Sequence, residues 1–409
     1  VRLAPLEPQP AAALALARHR AGALEGVEAA HRRALALAPA DAAGWSNLGS
    51  VALETARPAA AGRLFRRAQA LAPELAEAHW GEAKALLLLG DPRAGWAKVP
   101  WHRRRPGHAP RFPDATGWDG GPLDGRTLLL HAELGHGDTI LAARYATWAA
   151  GRGGRVVAMV QGPLVRLFAG IPGLSGCTAL DEPPPVFDRQ CPMLDLPRLF
   201  MATRRPEEPP EGPVPAPAYL AADPALAAAW GARLAAVRRP RVGLAWASAA
   251  RRGGFDEAMA RRRNPPSEAL ARLGQVPGVA FLSLQKGEPG ATPPTPPAGM
   301  ALLDLMDGVA DFADTAALMA GLDLVIAVDT AVAHLAGALG VPVWVPMRHE
   351  AGFPWRLDGE DTPWYGSMRL FRQPEPGDWD TVIDRMAAAL AQRFAAPGHH
   401  SLQSGDDTG

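Results

Sequence analysis

Two strand-turn-helix segments constrain this chain more than any other feature. They are TLLLHAELGHGDTILAARYATWAA, residues 127 to 150, and LDLVIAVDTAVAHLAGALGVPVWV, residues 322 to 345. Each runs an apolar strand into a tight turn that carries an acid and then opens a helix, which is where open α/β sheets place their ligands. Two such turns, one in each half of a long α/β region, point to two nucleotide-binding-type domains facing each other across a cleft. A chain of 409 residues that is 48% hydrophobic has enough material for two or three packed domains.

Charge excludes one class of partner. Lys+Arg 42 against Asp+Glu 42 gives a formal net charge of zero, so no broad basic surface marks a nucleic-acid or acidic-membrane protein, and anion binding must be local. The basic residues are nearly all arginine; the lysines are Lys84, Lys98 and Lys286. Cys177 and Cys191 support neither a disulfide framework nor a metal cluster. The apolar runs are shorter than a membrane span and the Arg- and Pro-interrupted N-terminus lacks a signal-peptide core, so the expected location is cytoplasmic.

The first hundred residues repeat. Residues 42 to 75 carry Trp45, Leu48, Gly49, Ala61, Phe65, Ala68 and Pro73, the tetratricopeptide spacing of small and large residues on two packed helices. One period of 34 earlier stand Leu14, Ala15, Gly22, Ala34 and Pro39, and one period later Ala83, Gly90 and Trp96. Stacked repeats of this kind bury a shared core and present a concave face to a partner.

From Trp118 strands alternate with helices. Strands are expected near 127 to 132, 155 to 160, 241 to 246, 279 to 284, 324 to 328 and 341 to 345, with helices between them at, for instance, Thr139 to Ala150 and Ala331 to Leu339. This alternation argues parallel sheets with right-handed crossovers. The Pro-rich run 204 to 217 is expected to be a linker, and the Gly-, Ser- and Asp-containing residues 396 to 409 a disordered tail. The expected organisation is therefore tetratricopeptide-like repeats over 1–105, an N-terminal Rossmann-like domain over 106–220, a C-terminal Rossmann-like domain with a final helix over 221–395, and the tail.

Residues 118 to 395 resemble bacterial proteins that join tetratricopeptide repeats to a glycosyltransferase domain of family 9, the heptosyltransferase-like group with the two-Rossmann GT-B fold. The stretches that carry the resemblance are GHGDTI, VGLAWA followed by RRRNPP, FLSLQKGE, DLVIAVDTAVAHLAGALG and MRLFRQPEPGDWDTVI. The chain departs from that pattern at Leu134, Ser248 and Asn264, where such proteins commonly have Gln, Gly and Ser. The resemblance implies transfer of a hexosyl- or heptosyl-type sugar from a nucleotide diphosphate to an acceptor hydroxyl, with inversion, without a metal and without a cofactor. It also implies a general-base role for Asp138 and contacts of Thr330, Ala331 and His334 with the donor diphosphate and nearby sugar, with Asp329 as a cap or donor contact.

The residues themselves fit this chemistry. Transfer needs a base for the acceptor and something to hold the charge that leaves on the diphosphate. Asp138 lies where the first strand turns into its helix, between Gly135 and Gly137, which let backbone and substrate approach, and Glu133 at the strand end is a candidate for positioning the acceptor. Helix capping is the competing reading for Asp138. Asp329 and Thr330 open a helix whose first N–H groups favour a phosphate. His334, one turn on, is a donor contact or a packing residue.

Lys286 and the run Arg261, Arg262 and Arg263, of which Arg262 is singled out, are candidates for compensating the leaving group. Trp246, Ala247 and Ser248 could form a backbone nest for phosphate. The one Asp-x-Asp, Asp378-Trp379-Asp380, is better explained as a helix cap than as a metal site, and Trp364 and Tyr365 read as packing. Partners would be a nucleotide-sugar donor, a glycan, lipid-linked or protein acceptor, and a protein docked on the repeats. Two alternatives stay open: a non-catalytic repeat scaffold with a degenerate transferase domain, and a nucleotide-sugar epimerase. A dinucleotide oxidoreductase would want G-x-G-x-x-G, which GHGDTI does not supply.

Overall fold

A computed structural model describes residues 26–204, 217–248, 262–287 and 295–395. Residues 205–216 of the expected linker, the expected tail, Leu14, Ala15 and Gly22 of the earliest repeat, and Arg261 lie outside the described residues.

The chain begins with α1 (Val27–Leu37), α2 (Ala42–Glu54), α3 (Pro58–Leu71), α4 (Ala76–Leu88) and α5 (Pro92–Lys98), followed by a 3-10 turn over Val99–Arg104. The sequence period of 34 is also a conformational period. Helices α2 and α4 start 34 residues apart, the prolines that open α3 and α5 are Pro58 and Pro92, and the positive-φ residues that turn the chain before them are Ala56 (φ 54°) and Gly90 (φ 78°). Even a side-chain bond repeats: Trp45 Nε1 donates to the Pro39 carbonyl at 2.9 Å, and His79 Nε2 lies 2.7 Å from the Pro73 carbonyl. Phe65 shows why the small positions are small. Its ring is fully buried between Gly49 and Gly81, and a Cβ at Gly81 would lie 2.3 Å from it.

Next come β1 (Thr127–His131), α6 (His136–Ala143), α7 (Ala146–Ala150), β2 (Arg155–Val160), α8 (Val165–Ala169), β3 (Leu174–Ala179), β4 (Arg189–Pro192) and α9 (Leu196–Ala202). The four strands form one parallel sheet in the order β3-β2-β1-β4. The second half holds α10 (Pro224–Leu234), β5 (Arg241–Ala245), α11 (Ser267–Leu270), β6 (Ala280–Ser283), β7 (Leu302–Leu303), α12 (Phe312–Met319), β8 (Leu324–Ala327), α13 (Ala331–Ala338), β9 (Val343–Met347), β10 (Met368–Arg372) and α14 (Trp379–Phe394). Its six strands are again all parallel, in the order β10-β9-β8-β5-β6-β7. In both sheets the strand order reverses beside the first strand, between β1 and β4 and between β5 and β8. Such a reversal leaves a crevice at the carboxyl ends of the strands.

The fold is thus mixed α/β with parallel sheets behind a helical segment. Four strands escaped the sequence reading: β3, β4, β7 and β10. The last of these, Met368–Arg372, is an edge strand beside β9. The helix expected over Thr139 to Ala150 is interrupted, with Arg144 and Tyr145 separating α6 from α7.

Period-2 alternation sorts the second sheet's side chains onto two faces. Val325, Ala327, Val343 and Val345 join a core that also contains Leu128, Leu130 and Ile140 of the first half and Leu87 and Trp96 of the repeats. The opposite face, with Val242, Leu244, Ile326 and Phe371, is covered by Val382, Ile383 and Met386 of α14. One apolar core therefore runs through all three parts of the chain.

Candidate functional site

The two turns recognised in the sequence meet. Helix α6 packs against α13 so closely that a Cβ on Gly137 would lie 2.8 Å from His334 Cδ2. Glycine suits this approach because an added side chain would force the His334 ring to move or the two helices apart. The carboxyl ends of the two sheets consequently face each other, with Asp138 on one side and Asp329 on the other, near enough that the charge of Asp329 acts on Asp138.

Asp138 sits in the first turn of α6 and accepts a hydrogen bond from the Gly135 amide at 3.0 Å, so the capping reading is physically realised. Capping does not exhaust its properties. Burial pushes its pKa up, the Gly135 amide opposes this, and the Asp329 charge adds to the rise, leaving the carboxyl at about 6. Asp329 has the contrary environment. Burial would raise its pKa too, but Arg263, 4.0 Å away, and the Trp355 Nε1–H, which donates at 2.9 Å, hold it below the usual carboxylate range. A pair of acids with pKa values driven apart by their surroundings is the arrangement expected of groups with different duties.

His334 is buried in the seam between the halves. Its Nδ1 lies 2.8 Å from the Tyr365 hydroxyl and its ring packs on Trp355 with centroids 4.8 Å apart. Burial pushes its pKa down to about 4, with Arg144 and Arg263 adding and Asp329 opposing, so the imidazole is neutral near pH 7. In this closed arrangement His334 is a packing residue, and Tyr365, read from sequence as packing alone, is its hydrogen-bond partner. Arg144 fastens the same seam by donating to the Trp364 carbonyl at 2.6 Å.

Thr330 forms the N-cap of α13 without capping it by side chain; its hydroxyl donates instead to the Val328 carbonyl at 3.1 Å. The first-turn amides, including that of the half-exposed Ala331, therefore have no side-chain oxygen upon them.

Other candidates are held elsewhere. The expected nest is filled by the protein itself: the amides of Trp246 and Ala247 both donate to Gln285 Oε1 (3.0 and 2.9 Å), and the Ser248 amide and hydroxyl both donate to Asn264 Oδ1 (2.9 and 3.1 Å). Arg262 points away from Asp329, bonding Glu54 Oε2 at 3.2 Å and pairing with Glu350, so it ties the second half to the repeats. Arg263, its neighbour, is the one beside Asp329. Lys286 donates to the Val309 and Ala310 carbonyls and pins the end of β6 to a loop.

Glu133 is engaged by His102 Nε2 at 3.3 Å and Arg103 at 3.1 Å, and Arg103 also grips Asp195 at 2.9 Å. Burial opposes ionisation of Glu133, yet His102 and Arg103 keep its pKa low. This cluster joins the repeats to the first sheet. The expected cap at Asp378 is present, accepting from the Thr381 amide at 3.0 Å, while Asp380 pairs with Arg272 at 2.5 Å.

Sequence reasoning missed the part the repeats play. Phe353 packs edge-on to Trp80 and Trp96 (both 6.1 Å), and Trp96 to Trp364 (6.0 Å), so the repeats close against the second half as they do against the first. Lys84 on α4, Arg105 and Arg348 at the end of β9 also stand here. The spacing of Trp80, Lys84 and Leu87 on successive turns of α4, with Trp96 on α5, was the available signal.

No family model matches this chain. Protein FlbA of Caulobacter vibrioides is 29% identical over 434 residues, an alignment that covers 89% of this chain and 69% of that protein. Among solved structures, a glycosyl transferase of family 9 from Veillonella parvula superposes with a TM-score of 0.47 at 10% identity, over 68% of this chain and all of that one. The Escherichia coli ADP-heptose heptosyltransferase II gives 0.46 at 12% identity, over 66% of this chain and all of that one. Similarity at this level leaves the reading of function to the site. Among the described residues no helix is long and apolar enough to cross a membrane.

Proposed function

We propose that this chain is a glycosyltransferase that moves a sugar from a nucleotide diphosphate to an acceptor hydroxyl with inversion and without a metal, its first hundred residues being tetratricopeptide repeats and its site of action the cytoplasm. The observation that carries the reading is the meeting, at the carboxyl ends of two parallel sheets, of Asp138 with its pKa at about 6 and the turn of Asp329, Thr330 and Arg263. A carboxyl of that pKa is ionised at neutral pH and is a stronger base than an ordinary aspartate.

In the proposed step the acceptor oxygen forms a bond to the anomeric carbon as the bond from that carbon to the diphosphate oxygen breaks. The acceptor proton passes to Asp138. The negative charge that develops on the diphosphate is met by the first amides of α13 at Thr330 and Ala331 and by Arg263. Exclusion of water by the closed seam would limit donor hydrolysis.

The test is a thermal-shift screen of nucleotide sugars and nucleoside diphosphates, with and without EDTA, followed by product analysis with the ligand that binds. A native-state ligand raises the melting temperature by mass action. A shift with one nucleotide family that survives EDTA, and transfer of its sugar, is the expected result. Binding without transfer to any acceptor supports the scaffold reading, and isomerisation of the donor sugar without an acceptor supports the epimerase.

A further inference from the structure

A cavity of about 280 Å³ lies where the repeats join the first sheet, and the chemistry of Asp138 and Asp329 makes no use of it. Arg103 of the 3-10 turn that ends the repeats lines it, with Phe112 and Trp118 of the segment that follows, His131 of β1, Gln190 of β4 and Asp195 of the turn after β4. Its size stands at the lower end of small-ligand sites, roughly 300–1,000 Å³.

Backbone and burial fix the frame. Gly117 pairs with Gln190 as a short continuation of the sheet, the Trp118 amide donating to the Gln190 carbonyl at 2.8 Å and the Gln190 amide to the Thr116 carbonyl at 3.0 Å. The buried Trp118 is held further by its indole N–H, which donates to the Gly121 carbonyl at 2.9 Å. His131, 2% exposed, stands edge-on to Phe112 with centroids 5.2 Å apart, and its Nε2 lies 2.9 Å from Gln190 Oε1. Burial lowers the His131 pKa, with Gln190 opposing, so the ring is neutral near pH 7 and carries one proton. With that proton on Nε2 the imidazole donates to Oε1, and the NH2 group of Gln190 is left over, without a partner among the described residues. Asp195 is the complementary group. Arg103 donates to both of its oxygens, at 3.0 and 2.9 Å, and each oxygen keeps a lone pair.

This combination selects among ligands. An anion would meet the Asp195 carboxylate, while Arg103 is already shared between Asp195 and Glu133, and Arg111 at the lip is exposed to water that screens its charge. An apolar group would strand Gln190 and Asp195 without partners. A pyranose answers both, because each hydroxyl donates one hydrogen bond and accepts others, while its C–H faces are apolar and suit the rings of Phe112 and Trp118.

We propose that this cavity holds a monosaccharide unit of the acceptor, so that the chain transfers its sugar to a glycan. The role of the bound saccharide as acceptor rests on the glycosyltransferase reading; its recognition by Gln190 and Asp195 does not. Arg103 links the cavity to the chemistry, since the guanidinium that holds Asp195 at 2.9 Å also holds Glu133 at 3.1 Å, on the turn that leads to Asp138. The end of the repeats is then a wall of the acceptor site and not only a docking module.

Saturation-transfer NMR with the methyl pyranosides of glucose, galactose, mannose and N-acetylglucosamine, titrated into the wild type, Gln190→Met and Arg111→Met, tests the cavity. At least one pyranoside should bind the wild type, and Gln190→Met should bind it about tenfold more weakly, the scale of one or two lost hydrogen bonds. Arg111→Met should bind it about threefold more weakly, because the guanidinium gives one N–H to the Leu180 carbonyl at 3.1 Å and has others for a ligand. Gln190→Met takes the acceptor from His131 and should melt somewhat lower than wild type; Arg111 is exposed, so Arg111→Met should melt with the wild type and its weaker binding is not unfolding. No pyranoside binding to the wild type overturns the cavity, as does wild-type affinity in Gln190→Met or, should that variant fail to fold, in Arg111→Met. Pyranoside binding that depends on Gln190, in a protein that binds no nucleotide, sustains the cavity and removes the glycosyltransferase reading; sugar transfer to a peptide or lipid hydroxyl that is indifferent to Gln190→Met does the reverse.

Discussion

The turns at Asp138 and Asp329 are two versions of one device, and the difference between them is instructive. Both follow the last residue of a buried parallel strand and both open a helix of eight residues. In the first the acid lies inside the helix, folds back on the Gly135 amide and faces another carboxylate, so its proton is held to about pH 6. In the second the acid precedes the cap, faces Arg263 and the Trp355 indole, and loses its proton readily. A shift of four positions relative to the helix start, together with one arginine and one indole, turns the same residue type from a proton acceptor into a fixed negative charge.

Breaking the first version should have the largest effect. Asp138→Asn keeps an oxygen for the Gly135 amide yet cannot take a proton, so sugar transfer should fall by about a hundredfold or more while nucleoside diphosphate affinity stays within a factor of two or so. Wild-type kcat should fall as pH drops through 6, and the asparagine variant's residual rate should lack that limb; a steady-state pH profile reads both.

Breaking the second version should cost stability first. Asp329→Ala leaves the Trp355 N–H without its acceptor and Arg263 without its nearby counter-charge, which should lower the unfolding free energy by about 1–3 kcal/mol in a denaturant titration and weaken nucleotide binding as well. Gly137→Ala tests their contact. The added Cβ meets His334, and the helices must separate or the ring must move, at about 1–3 kcal/mol by the same measurement.

The smallest effect is a pair of opposed slopes. Asp138 binds its proton more tightly folded than unfolded, so its contribution falls as pH rises from about 4 to 6; His334 binds its proton less tightly folded, so its contribution is lost as pH falls from 6.5 to about 4. Asp138→Asn should therefore show a steeper loss of stability on acidification over pH 6 to 4 than the wild type, measured as urea midpoints across that range.

Both devices were legible as strand, acid and helix, because a buried parallel strand is a short apolar run and the helix after it starts with glycine or threonine. The strands β3 and β4 were not, since LSGCTA and RQCP carry polar or proline positions that only a neighbour in the sheet makes tolerable. Within the site, the sequence placed an arginine run in the second half but could not say which member stands beside Asp329. Arg262 meets Glu54, more than two hundred residues earlier, and it is Arg263 that stands beside Asp329. The nest at Trp246 to Ser248 failed for the same reason: Gln285 and Asn264 occupy its amides, and no local pattern announces an acceptor that arrives from another strand.

The repeats touch the first half through the ions Arg103 with Glu133 and Asp195, and the second half through rings, Phe353 with Trp80 and Trp96, beside the ion pair of Arg262 with Glu54. Any swing of one sheet away from the other must tear one of these seams and use the other as its pivot. Ionic contacts weaken with salt and aromatic ones do not, so added salt should loosen the seam with the first half more than the ring-packed seam with the second: rapid association of ligand that speeds up with added salt would mark the first seam as the door and the second as its hinge.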